Sequence, residues 1–357
     1  MRPESLEFLK NLLTTPSPSG FERRGQRVWL DYAQQFADEL ETDTYGSAWG
    51  VINPGAGPRV AIVGHCDEIG LMVNHIDEKG FIWVSSIGGI DPAVVPGKRL
   101  TIHAKKGPVR GFTGATAIHL RDRTKDAKAR KLHELFVDIG VKTKRAAEAK
   151  VQVGDPITFV DDFELVDGKN IAIARALDNR IGTWVAAETL RLIKASKKKL
   201  NCSVYGCSVV QEEIGLRGAQ MMTMNVRPDI GLVVDVGHAT DSPGIDPRQH
   251  GYAKLGGGPL IAIGGPTLPE VNDRLEKIAK ANKIPLQRNA NPGASGTDTD
   301  MVFKVTGGVA CGLVSLPIRY MHTTVEMTDL RDLEKIPKLF AEFCLSLKKD
   351  EVIRAKV

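Results

Sequence analysis

Apolar residues at Leu6, Leu9, Leu12 and Leu13 recur at helical spacing and predict a helix over 5–13. The PSPSG run at 16–20 breaks it, and a helical pattern resumes over 21–40 through Val28, Leu30, Tyr32, Phe36 and Leu40. Residues 49–53 and 59–64 read as strands. VAIVG at 60–64 is a continuous apolar run of the kind buried in a sheet covered on both faces. From 71 to about 170 the character changes to short alternating strands separated by turns: FIWVSSIGG, KRLTIHA, GPVRGFTG and DPITFVDDFELVDGK. One charged stretch (121–131) and a short basic, alanine-rich helical segment (142–150) interrupt them. This pattern predicts a small all-β, barrel-like unit. Beyond 170, helices at 179–195, 270–282 and 330–348 alternate with apolar strands at 203–210, 230–236 and 310–317. The expected organisation is a discontinuous α/β domain, 1–70 and 170–357, interrupted by a β unit at 71–169.

Residues capable of chemistry stand where the apolar runs of the α/β part stop. HCDE follows the strand ending at Gly64. His65 and Asp67 are two apart and face one side of an extended chain, so Asp67 is placed to orient the second nitrogen of a metal-bound His65. ALDNR sets Asp178 just before a helix, as a ligand or as a helix cap. The strand at 204–210 ends in Glu212 and Glu213, followed by a turn bracketed by Gly215 and Gly218. Adjacent side chains on extended backbone point apart, so one acid can hold a metal while the other faces substrate or water. Asp235 in DVGHA ends the next strand, and His322 in YMHT follows the last. Delivery of such groups to the carboxyl edge of a sheet is the α/β pattern for an active site. Imidazole nitrogen with carboxylate oxygen suits Zn²⁺ or Co²⁺. A two-oxygen carboxylate can bridge ions ~3.5–4 Å apart, and such pairs activate water for hydrolysis. A carboxylate left over from the ligand set then serves as general base. His75, His103, His133 and His250 stand apart from the set and read as structural. Cys66 points away from His65 and Asp67 and reads as a small buried apolar residue.

Composition narrows the field. A chain of 357 residues has room for roughly two domains. A formal charge of +5, without a basic tract interleaved with aromatics, argues against nucleic acid as a partner. No apolar run approaches the ~20 residues of a membrane span. The start MRPESLEFLKNLL carries two acids and no long apolar core, unlike a signal peptide. Five scattered cysteines without a CxxC suit a reducing compartment, so a cytoplasmic location is expected.

The segments GHCDEIG, GGIDPAVVPGKR, GATAIHL, GDPITF, ARALDNRIG, QEEIGLRGA, DVGHATDSPG, SGTDTD and PIRYMHTTVEM resemble the M42 family of metallo-aminopeptidases, the glutamyl-aminopeptidase-like enzymes, some of which carry an endoglucanase label. The resemblance runs through nearly the whole chain. It implies a zinc-exopeptidase-like α/β/α sandwich with a mixed central sheet, and a small inserted β-barrel-like domain used for dimerisation. It implies two divalent ions per subunit, Zn or Co, with His65 and Asp235 on one, Glu213 and His322 on the other, and Asp178 bridging. It makes Glu212 the general base and Asp67 the residue that orients His65, with a metal-bridged water attacking the scissile carbonyl of a short peptide's first residue. It further implies self-association, as a dimer or a hollow tetrahedral dodecamer. His119, Gly296 and Arg319 lie in family-typical segments and are substrate-pocket candidates, Gly296 for close backbone approach.

Three other readings compete. Zinc exopeptidases of the M28 or M20 type share a similar ligand order, but EEIGLRGA and PIRYMH argue against them. Glycoside hydrolysis wants carboxyls ~5–9.5 Å apart across a sugar, which sequence neighbours at a strand end serve poorly. A scaffold that retired its chemistry would be expected to lose ligands, and here the full set is present.

Overall fold

The computed structural model describes residues 1–115, 117–120, 131–168 and 170–357. After two helices, Pro3–Thr14 and Arg23–Ala33, come three strands: β1 (Glu39–Thr42), β2 (Ala48–Ile52) and β3 (Arg59–His65). Six more follow: β4 (Gly70–Ile76), β5 (Ile82–Ile87), β6 (Arg99–Ala104), β7 (Gly107–Thr113), β8 (Phe136–Asp138) and β9 (Pro156–Phe159). These six close into a barrel in the order β4-β5-β8-β7-β6-β9. The remaining strands are β10 (Glu164–Val166), β11 (Ile171–Ala174), β12 (Ser203–Val209), β13 (Ile230–His238), β14 (Leu260–Ile263), β15 (Gln287–Ala290), β16 (Ala310–Arg319) and β17 (Glu326–Asp329). With β1 to β3 they form, among the described residues, an 11-stranded sheet ordered β1-β2-β12-β3-β13-β16-β17-β11-β10, with β14 and β15 branching from β16.

The centre of the large sheet is parallel: β12 pairs with β3, β3 with β13, and β13 with β16. Antiparallel strands extend it on both sides, so the sheet is mixed. Alternation along β3 shows why both faces are covered. Val60 and Ile62 enter a core built with the helices Pro3–Thr14, Leu177–Ala195, Pro269–Ala281 and Lys335–Ser346, while Ala61 and Val63 enter a second core with Arg217–Val226. The result is an α/β/α sandwich. The barrel has a core of its own around Leu71, Val84, Leu100, Val137 and Ile157. Among the described residues no helix is long and apolar enough to cross a membrane.

Three expectations shift. The helix begun near 21 runs only over Arg23–Ala33, and Leu40 lies in β1, an edge strand exposed throughout. Pairing of Glu39 with Val51 across the sheet overrides the helical spacing. The last helix is two, Leu330–Leu333 and Lys335–Ser346, because Pro337 cannot donate an amide and its ring opposes the carbonyl of Leu333. The FELV strand, β10, pairs with β11 of the large sheet, so the barrel's strands end at Phe159. The basic segment forms the helix Lys144–Glu148, capped by the Thr143 hydroxyl. Of the charged stretch, 121–130 lie outside the described residues.

Candidate metal centre

The parallel strands end together, and their ends supply the candidate residues. His65 closes β3 opposite Val209 of β12, so Glu212 and Glu213 emerge beside it. Asp235 lies on β13 next to Ser315 of β16, and His322 follows β16 on the loop to β17. Asp178 is brought in by the start of the long helix, Leu177–Ala195. Gly64 makes this approach feasible: a Cβ there would lie 2.4 Å from the carbonyl carbon of Gly182. The helix start adopts unusual backbone, with Ala176 left-handed at φ 59° and Asp178 outside helical angles.

Asp178 lies between the two histidines. Its Oδ1 is 3.3 Å from His65 Nε2 and its Oδ2 is 3.3 Å from His322 Nε2. Glu212 Oε2 is 3.6 Å from His65 Nε2, and Glu213 Oε2 is 3.6 Å from His322 Nε2. Ligand atoms of His65, Asp178 and Glu213 fall within 4.8 Å of one another, as do those of His65, Glu212 and Asp235. Atoms bound tetrahedrally to one ion at ~2.0–2.1 Å stand about 3.3 Å apart, so the two 3.3 Å separations fit Asp178 sharing an ion with each histidine. The donor set of imidazole nitrogen and carboxylate oxygen fits borderline divalent metals.

Electrostatics points the same way. Burial, then the charge of Asp178, pushes Glu213 well above the usual carboxylate range. Burial pushes Asp235 up as well, reinforced by Asp178 and Glu212. Glu212 is pushed up to about 7, by burial first and then by Asp178 and Asp67, against the opposing pull of His65. His65 is itself buried, which disfavours its cation, yet Glu212, Asp178 and Asp67 together raise it. His322 is raised chiefly by its contact with Asp178. Asp178 is held low by the two imidazoles in spite of its burial. Packing acids this closely in a buried site is costly unless cations share the space.

Each histidine has an outer partner. His65 Nδ1 stands 3.4 Å from Asp67 Oδ1 and 3.3 Å from the Asp67 carbonyl. The same Asp67 carboxylate accepts the Glu212 amide at 3.0 Å, the Glu213 amide at 3.1 Å and the Ser19 hydroxyl at 2.6 Å. His322 Nδ1 lies 2.8 Å from the Gly89 carbonyl, which comes from the loop after β5 of the barrel. A Cβ on Gly89 would press the His322 ring at 3.2 Å.

A cleft of about 580 Å³ opens over this centre. Beyond the acids it is lined by Leu216, Ala262, Asn289, Asn291 and Thr297, and Gly296 is on its wall. The other two pocket candidates lie elsewhere. Arg319 pairs through both ends of its guanidinium with Asp241, at 2.9 and 2.7 Å, and does not line the cleft. His119 is exposed on the short turn Ile118–Leu120 and does not line it either.

Four acids near the centre escaped the reading of the sequence. Glu326, 2% exposed, accepts the amides of Asp178 and His322. Asp298, in the GTDTD run, is buried and neither of its carboxylate oxygens has a partner among the described residues. Glu22 accepts the amides of Gly20 and Gln211 and is pushed up to about 7 by burial and by Asp67. Glu68 pairs with the buried Arg175 and Arg180, and Arg180 also donates to the carbonyls of Cys66 and Leu12. Glu68 directly follows Asp67, and Glu22 closes the segment after PSPSG. The spacing of neither distinguishes it from a surface acid.

The sequence profile of the M42 glutamyl aminopeptidase family matches residues 46–339. The lysyl aminopeptidase of Pyrococcus furiosus is 32% identical over 347 residues, covering 96% of this chain and 97% of that one. The TET aminopeptidase of the marine sediment archaeon Thaumarchaeota archaeon SCGC AB-539-E09 superposes with a TM-score of 0.92 at 32% identity, covering 96% of each chain. The TET1 peptidase of Pyrococcus horikoshii, described as assembling into a tetrahedron or a large octahedral shell, gives a TM-score of 0.84 at 28% identity. That match covers 96% of this chain and 100% of that one.

Proposed function

Because the chain belongs to the M42 glutamyl aminopeptidase family and is a peptide-bond hydrolase, we propose that it is a co-catalytic di-metal aminopeptidase that removes N-terminal residues from short peptides. The observation that carries this reading is the Asp178 carboxylate, one oxygen 3.3 Å from each of two histidines on different strand ends. His65 and Asp235 would hold one ion, Glu213 and His322 the other, and Asp178 both; Zn or Co suits these donors. When bound, such a pair activates a water, polarises the scissile carbonyl and holds the substrate's free α-amino group.

The chain's own groups do the rest. Glu212 takes the proton of the attacking water and hands it to the leaving amine. Its pKa, raised to about 7 by burial, matches a group that must both accept and give a proton near neutrality. Asp67 orients His65 and, through two amides, the Glu212–Glu213 pair. The cleft over the centre is the proposed substrate site, with Gly296 as its pocket residue. The inserted barrel is the proposed self-association unit, in a dimer or a tetrahedral dodecamer. Exposed Phe112, Leu120 and Val153 on that unit support this assignment. A cytoplasmic location is in keeping with five cysteines that are all buried and free.

The test is hydrolysis of acidic, basic, aliphatic and aromatic aminoacyl-p-nitroanilides by metal-stripped protein, with Zn²⁺, Co²⁺ or Mn²⁺ restored. Metal-dependent release from unblocked substrates is expected, and none from N-blocked ones. Glu212→Gln should lower kcat by about 10²–10⁴ while two ions stay bound. Loss of both ions in that variant would reverse the assignments of base and ligand.

A further inference from the structure

We propose that Glu326 is the positioning residue of the outer half of the metal centre, holding Asp178 and His322 in register through their backbones. The proposal rests on the two-ion reading above. Glu326 is the first residue of β17, directly opposite Ala174, the last residue of β11. It therefore sits where two loops meet: the one leaving β11 for Asp178, and the one from β16 that carries His322. Its Oε2 accepts the Asp178 amide at 3.1 Å and its Oε1 accepts the His322 amide at 2.9 Å. One carboxylate thus ties together two candidate ligands 144 positions apart in the chain (178 and 322).

Both loops need such a tie. Ala176, Tyr320 and His322 are non-glycine residues with φ of 59°, 60° and 61°. L-residues rarely adopt this left-handed region and hold it only where surrounding bonds fix it. The Gly89 carbonyl fixes the His322 ring, but within the described residues it is Glu326 that takes the His322 main-chain amide. Two acceptor oxygens facing two N–H donors is a task for a carboxylate. A glutamine offers one acceptor and turns an NH₂ toward the second donor. Glu326 is 2% exposed, so water does not readily substitute for the lost acceptor. Partners one bond beyond a metal's ligands set ligand orientation, and their loss typically lowers metal affinity 10–100-fold.

The experiment is Zn²⁺ titration of metal-free, full-length protein against a competing chromophoric chelator, for the wild type, Glu326→Gln and Glu326→Asp. The metal-free melting temperature of each is recorded alongside. Expected are two ions for the wild type, and for Glu326→Gln one ion weakened 10–100-fold and the other, which depends on Glu326 only through Asp178, weakened less. Excess Zn²⁺ should then recover kcat in Glu326→Gln. Glu326→Asp keeps both acceptors on a shorter arm and should fall between the two. Two ions of wild-type affinity in Glu326→Gln would overturn the proposal, even if its melting temperature dropped, because the residue would then serve folding alone. A wild type that takes up fewer than two ions would overturn the two-ion reading, and this proposal with it.

Discussion

The two halves of the metal centre are built differently. His65 is 1% exposed and ends a central strand held on both sides by parallel neighbours. Its outer partner, Asp67, is anchored by a hydroxyl and two adjacent amides from two distant segments of the chain. His322 leaves about a third of its side chain exposed and rides on a loop in left-handed backbone. Its ring depends on one carbonyl, Gly89, contributed by the barrel, and its main chain on Glu326. The deep half inherits its order from the sheet, while the outer half borrows its order from contacts that loops supply. Local stability follows such differences in burial and bonding. On the proposed reading the outer ion exchanges first.

Asp178→Ala should erase the comparison altogether, since this carboxylate serves both halves. Both ions should be lost to a mild chelator and turnover should fall to background, as read by elemental analysis and anilide hydrolysis. Clean retention of two ions would refute bridging.

Acidification acts on both halves together. Burial raises Glu213 in the outer half and Asp235 in the deep half, and Glu212 reaches about 7, so the metal-free centre keeps protons that metal must displace. Metal uptake should therefore release protons, and affinity should fall as pH drops from 8 to 6. Calorimetry in buffers of different ionisation enthalpy measures the release, and pH-independent uptake would contradict these raised values.

Asp67→Ala acts first on the deep half, where Asp67 faces His65, and reaches the outer half only through the Glu213 amide. It leaves the Glu212 and Glu213 amides and the Ser19 hydroxyl without their acceptor, at about 1–3 kcal/mol for each group left unpaired. Chemical denaturation should show that loss, and chelator competition should show weakening of the His65 ion by roughly 10–100-fold. Equal weakening of both ions would mean that the halves are not separable.

Gly89→Ala is the mildest probe. The new methyl would meet the His322 ring at 3.2–3.3 Å, so the ring must give by a few tenths of an ångström. The outer ion should weaken by about tenfold or less, with the deep ion and the fold unchanged. Crystallography of the variant would locate the shift.

Much of this was legible in the chain. Each candidate ligand follows an apolar run or opens a helix, because an α/β sheet exposes its chemistry where buried strands stop. H-x-D, the acid pair, Asp235 and His322 stand out by that position alone. Glu326 did not, since an acid four residues after a histidine at the start of a short strand looks like any edge residue. Gly89 could not, since it acts through its carbonyl and every residue has one. Leu40 misled because a local period competed with a pairing partner, Gly50, that only the folded sheet supplies.

What the sequence determined by itself is local: which segments are apolar with which period, where they stop, and which side chains stand at the stops. Periodicity reports burial one element at a time, so it carries that information in full. What the tertiary structure decided is convergence. The order β12-β3-β13-β16 brings residues 65, 178, 212, 213, 235 and 322 to one edge, sets one oxygen of Asp178 toward each histidine, and lends the outer half a carbonyl from the barrel. Strand order and loop contact are properties of pairs of distant segments, and no single stretch of the chain contains them.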